Sequence, residues 1–144
     1  MNILNFIAYI VLTILYFLFL IKLICWKTLK RFGYSIEIPY YYIIHSEIYD
    51  LICFLLFSLS IVFAFFQSFS PNWILIIIPI FLFFISQVKG RNKAVKILRE
   101  ILVDIYNNTD DKLEKKKIEN DLALNNLSLF NKYIKLWQIL RFKN

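Results

Sequence analysis

The chain has 144 residues, 60% of them hydrophobic and 19% aromatic, and carries a formal net charge of +7. Soluble domains average roughly 45–50% apolar residues, and a chain this short has too little interior to hide the excess. These values exclude a small water-soluble fold and a second sizeable core, and they leave a bilayer as the natural solvent.

The apolar residues are clustered. Ile3 to Ile21 carries no charge and is interrupted only by Asn5 and Thr13. Leu51 to Phe69 is a second such run, and Trp73 to Val88 a shorter third with Pro79 near its middle. A spanning helix needs about 20 predominantly apolar residues. A short third span is accommodated if Lys89 snorkels to the interface. Pro79 is tolerable there if a neighbouring helix satisfies the carbonyl it frees. The expected fold is an all-α integral membrane protein: one N-terminal span and a transmembrane hairpin, followed by cytosolic amphipathic helices. The spans are expected at about 3–25, 47–69 and 73–89, with an interfacial loop at 26–46. The transmembrane region is then 1–89 and the helical tail 90–144. The first run lacks the basic start and small-residue cleavage site of a secretory signal, so it is read as a retained anchor.

Charge sets the orientation. Lys22, Lys27, Lys30 and Arg31 follow the first span, and Lys89, Arg91, Lys93, Lys96 and Arg99 follow the third. The N-terminal stub and the Ser70-Pro71-Asn72 turn have no Lys or Arg. Cytoplasmic segments carry the excess of basic residues. The N-terminus and the turn are therefore expected outside, and the tail in the cytosol beneath an inner (cytoplasmic) membrane. The segment from Lys27 to Tyr49 holds Tyr34, Tyr40, Tyr41, Tyr42 and Tyr49 with Trp26 and Phe32, residues that favour headgroup depth. It reads as an interfacial loop or short helix, with an aromatic ligand pocket as the alternative.

In the tail, Ala94, Ile97, Leu98, Ile101, Leu102, Ile105 and Tyr106 recur at helical spacing, on a helix expected to continue from the third span with Gly90 as a kink. A charged helix is expected over about 111–124, with Asp110 and Asp111 suited to its N-terminus. The last segment, Ser128 to Phe142, places Leu129, Phe130, Tyr133, Ile134, Leu136, Trp137 and Leu140 on one face. Lys132, Lys135, Arg141 and Lys143 make it a basic tail suited to an anionic inner leaflet. The alternative is that it packs on the 94–106 stripe or on another copy. That stripe needs a partner, and a homo-oligomer is expected on this ground.

Material for catalysis is scarce. The single histidine, His45, lies near Glu47 and Asp50, and acids at the start of the second span serve its N-terminus as well as they would a metal or a proton. Cys25 and Cys53 lack metal-ligand spacing and read as apolar fillers rather than a redox pair. Gly33 and Gly90 are isolated, so there is no phosphate loop. No catalytic residue, metal site or cofactor is expected. Thr13, Ser58, Ser60, Gln67 and Ser86 are the polar side chains within the spans. They are candidates for hydrogen bonds between helices or for lining a pore in an oligomer. Nucleic acid is set aside as a partner, because topology and the amphipathic tail account for most of the basic residues and inner-leaflet phospholipid is the nearer anion.

The layout of residues 47–107, an outward hairpin followed by cytosolic helices, is similar to the small two-to-four-span effectors of bacterial conflict systems. No motif carries the likeness and no residue role transfers with it. The usage of Ile, Lys and Asn fits an AT-rich bacterial genome. The expected function is a small non-enzymatic membrane effector, self-associating and pore-forming or membrane-disrupting, whose tail receives a cytosolic or membrane protein partner or a signal. The alternative is a toxin or bacteriocin immunity protein, or an accessory subunit of a larger membrane complex.

Overall fold

The computed structural model describes residues 3–39, 46–65 and 73–143. They form five helices: α1 (Ile3–Phe32), α2 (Ser46–Phe65), α3 (Trp73–Asn108), α4 (Lys112–Leu122) and α5 (Asn126–Lys143). The first three are long and apolar enough to cross a membrane, as expected. The Ser70-Pro71-Asn72 turn, Tyr40 to Tyr42, His45 and Gln67 lie outside the described residues.

Two compact units divide the chain. One comprises Met1–Ile24 and His45–Gly90, the other Cys25–Ile44 and Arg91–Asn144. Of the seventeen basic residues, only Lys22 and Lys89 belong to the first. We call the first the apolar unit and the second the polar unit. Helices α1 and α3 each supply residues to both.

The apolar unit is built with its large residues outward. Ile3, Leu4, Phe54, Leu51, Phe81 and Phe84 are each more than half exposed. Its interior is lined by small and hydroxylic residues together with Leu20, Leu23 and Ile24. On α1, Tyr9, Thr13, Tyr16, Leu20 and Leu23 are buried at alternating four- and three-residue spacings, the pattern of a helix seam. On α2 the buried positions include Cys53, Ser60 and Ala64, and on α3 Pro79, Ser86 and Gly90. These two triplets share one spacing, seven residues and then four. Small side chains let helix backbones approach where lipid, as apolar as leucine, gives no hydrophobic drive to association.

Gly90 marks the tightest of these contacts. It lies within the unbroken α3, and a Cβ there would sit 2.7 Å from Ile24 Cβ and 3.0 Å from the Ile21 carbonyl oxygen. The residue is small because α1 touches α3 at that point. Pro79 is accommodated as anticipated. A proline removes the N–H that would bond to the carbonyl four residues earlier, here Leu75. The Tyr9 hydroxyl of α1 donates to the Leu75 carbonyl.

The first helix extends beyond its expected end. Residues 26–32, read as the start of an interfacial loop, are its last turns. They continue because Cys25, Leu29 and Phe32 share one face and are almost wholly buried in the polar unit. The helix ends in a graded turn: Gly33 N–H donates to the Leu29 carbonyl at 3.0 Å, and Ser35 N–H to that of Phe32 at 3.0 Å. Ser35 Oγ donates to the Phe32 carbonyl as well, also at 3.0 Å.

The core of the polar unit joins Leu29 and Phe32 to Ala94, Val95, Leu98 and Leu102 of α3, Ile118 of α4, and Leu129 and Tyr133 of α5. The apolar stripe on α3 thus finds its partners within the chain, and it gives no ground for self-association. Caps hold the two short helices. Asp111, extended at the N-cap of α4, accepts from Leu113 N–H at 2.9 Å. Asn125 does the same for α5, its Oδ1 accepting from Ser128 N–H at 2.8 Å. Such caps are each worth about 1 kcal/mol.

Candidate functional site

The hydroxyls expected to join helices or line a pore are engaged within their own helices. Thr13 Oγ1 donates to the Tyr9 carbonyl at 2.8 Å, Ser60 Oγ to Leu56 at 2.8 Å, and Ser86 Oγ to Phe83 at 2.7 Å. All three side chains are buried. Ser58, half-buried, donates to Phe54 at 2.8 Å. A hydrogen bond between helices comes from Tyr9, whose hydroxyl donates to the Leu75 carbonyl. The serines contribute their small size. Cys25 and Cys53 are both buried and are not joined in a disulfide. Among the described residues no group of His, Cys, Asp or Glu has the arrangement to hold a metal.

The described chemistry of the polar unit lies in three places. The first is a strut. Arg99 of α3 donates through Nη1 to the Leu122 carbonyl at 3.0 Å, through Nη2 to that of Leu124 at 2.6 Å, and through Nε to Asn126 Oδ1 at 3.1 Å. One guanidinium therefore covers the carbonyl end of α4, where cations are favoured, and reaches the first residue of α5. Its planar fork suits three simultaneous bonds. In the sequence Arg99 stands out only as one of the basic residues after the third span. No local pattern announces this role, because its partners lie more than twenty residues away.

The second place is the buried Asp121 carboxylate. Lys132 pairs with Oδ1, and the Tyr133 hydroxyl donates to Oδ2 at 3.1 Å. Lys132, assigned from sequence to a membrane-surface tail, is thus occupied by an ion pair inside the unit. A buried acid requires such partners. Burial, followed by the negative charge of Asp121, raises the Tyr133 phenol above its ordinary range. Tyr106 is raised too, mainly because it donates to Glu119 Oε1 at 2.8 Å.

The third is the surface that remains. An open groove of about 460 Å³ is lined by Glu37, Pro39, Ile101, Asp104, Ile105 and Glu114, among others. Its carboxylates stand out in a unit that holds most of the basic residues. Elsewhere Trp137 of α5 lies beneath two cations, with the Arg31 guanidinium carbon 5.1 Å and the Arg141 carbon 5.3 Å from its ring centroid. Tyr34 meets the same ring edge-on at 6.5 Å. Arg141 therefore rests on α5 itself, while Lys135 and Lys143 remain exposed as expected. The apolar face expected on α5 is turned mainly inward, Leu129 and Tyr133 being buried.

No family model, curated protein or solved structure matches the chain. The fold is all-helical among the described residues, with three helices long and apolar enough to cross a membrane by length and composition.

Proposed function

We propose that the protein is a non-enzymatic membrane effector, whose three-span unit acts on the bilayer when a cytosolic polar unit receives a partner or signal. The observation that supports this reading best is the continuity of α1 and α3, each a single helix contributing to both units. A ligand that prefers one arrangement of the polar unit biases those same helices, by its difference in affinity for the two arrangements. The groove edged by Glu37, Asp104 and Glu114 suits a basic protein segment as the incoming partner. Cytosolic placement follows from the basic residues after the first and third spans. Because the described hydroxyls of one chain are satisfied inside their helices, action on the bilayer calls for several copies assembled laterally in the inner membrane of a bacterium.

A second reading, an immunity protein or accessory subunit, draws on that same packing: a closed bundle with satisfied hydroxyls is also what a passive binding partner needs. Controlled expression with a potential-sensitive dye separates the two. An effector depolarises the cell and arrests growth once triggered. An immunity protein leaves the potential intact and protects cells from its cognate toxin. Harmless expression with no protection, alone or beside candidate basic partners, overturns the effector reading and leaves an accessory role.

A further inference from the structure

Two cations converge on one indole at the meeting of α1 and α5, and nothing among the described residues neutralises them. Arg31 and Arg141 both lie close to the Trp137 ring, so their guanidinium carbons cannot be much more than twice that distance apart. Neither forms an ion pair with a described acid. Arg99 makes the contrast plain, since its guanidinium is consumed by three bonds inside the unit. Like charges gathered around one ring, without a hydrogen-bond acceptor among the described residues, form half of an anion site. The planar fork of arginine matches the tetrahedral oxygens of phosphate in paired hydrogen bonds.

The position along α1 suggests where that phosphate comes from. Trp26 lies five residues before Arg31, about 7–8 Å along the helix axis, and the uncharged run from Ile3 ends at Ile21. The polar layer on each face of a bilayer is about 5–8 Å thick. Arg31 lies about 15 Å past Ile21 and about 9 Å past the expected close of the first span at residue 25, so along its own helix it stands at the outer edge of that layer, from which its long side chain can reach back to a headgroup. Tyr34 and Trp137, each with an apolar body and a polar tip, favour the same layer.

We propose that Arg31 and Arg141, positioned by Trp137, bind the phosphate of an anionic phospholipid headgroup. The site uses only three side chains of the polar unit, and it does not depend on the effector reading.

The test uses the full chain, purified in neutral detergent and exchanged into nanodiscs of phosphatidylcholine with or without phosphatidylglycerol. In a Trp26→Phe, Trp73→Phe background, the remaining indole reports on the site. Phosphatidylglycerol should alter Trp137 emission and remain bound through detergent washing, as read by native mass spectrometry. Removing both forks in Arg31→Gln, Arg141→Gln should lower retention about tenfold, the effect of losing one charge-assisted hydrogen bond or more. Lys135→Gln, Lys143→Gln removes equal charge from exposed positions and should leave retention unchanged. Equal loss in both pairs means diffuse attraction and overturns the site, as does absence of any preference for phosphatidylglycerol. Inorganic phosphate added without anionic lipid distinguishes the source. A Trp137 response to it that needs both arginines keeps the phosphate site but overturns its lipid assignment. Arg141→Gln alone, in the last turn of α5, carries the test if the double variant fails to assemble; it too must lose retention.

Discussion

Tyr9 of α1 donates its hydroxyl to the Leu75 carbonyl of α3, the group that Pro79 leaves without a backbone donor. The two features are one device. A proline inside a spanning helix frees a carbonyl in hydrocarbon, and a tyrosine on the neighbouring helix takes it up. Tyr9→Phe should therefore destabilise the apolar unit by about 1 kcal/mol, within the range of interhelical bonds in membranes. Pro79→Ala restores the donor and should make Tyr9→Phe nearly neutral. A double-mutant cycle by thermal or denaturant unfolding in detergent measures the coupling, and an additive result removes the device.

Gly90→Ala should loosen the approach of α1 and α3. The added methyl would meet Ile24 at its Cβ, which has no freedom to rotate away, so a helix must shift. Overpacking of this kind costs about 1–3 kcal/mol. Gly90→Ala combined with Ile24→Gly, which removes that Cβ, should recover part of that loss, and failure to do so would place the strain elsewhere.

Arg99→Ala should unfasten the α4–α5 turn. It leaves the Leu122 and Leu124 carbonyls without their guanidinium, at a cost of about 1.5–3 kcal/mol for bonds to a charged group. Amide exchange should accelerate first around residues 119–129. Arg99→Lys keeps the charge but not the fork, and should restore less than half of the protection.

These positions show what could be read from the chain alone. The three spans, the passage of the third into the tail helix, and the acidic start of α4 were all legible, because periodicity and capping are local. So was the need for something to satisfy Pro79, although not which residue would do it. The end of α1 differs from expectation because aromatic residues and Gly33 suggest an interfacial loop or short helix, while the face shared by Cys25, Leu29 and Phe32 carries the helix on to Phe32. Packing of the last helix on the α3 stripe was one of the two readings open for it, and Leu129 and Tyr133 provide that contact, while Phe32 and Ile118 join from long sequence separations with no local signal. Arg99 and the Asp121–Lys132 pair were invisible for the same reason: a lone charge does not announce a distant partner. The outcomes at Gln67 and at His45 lie outside the described residues.

Stability should fall in alkali, beginning near pH 10. The folded Tyr133 holds its proton above that pH, where the unfolded phenol releases one. The unfolded state then binds fewer protons than the native state, so unfolding becomes easier as pH rises. The slope from this one group is at most about 1.4 kcal/mol per pH unit. Melting of the wild type and of Tyr133→Phe from pH 8 upward should show a shallower decline in the variant. Parallel curves would assign the alkaline loss to other groups, Tyr106 among them.

Orientation has its own check. With Cys25 and Cys53 replaced by alanine, Asn72→Cys should react with an impermeant maleimide on intact cells, and Lys143→Cys should react only after lysis. The reverse pattern would invert the reading of the basic residues.

The uneven sharing of charge between the units has an electrostatic consequence for crowding in the membrane plane. Nearly all the lysines and arginines ride on the polar unit, so neighbouring molecules meet with like potentials facing. At physiological ionic strength that repulsion reaches only about 8 Å. Clusters should consequently form more readily at high salt, or in lipid mixtures rich enough in acidic headgroups to act as counterions, and should disperse when the buffer is diluted.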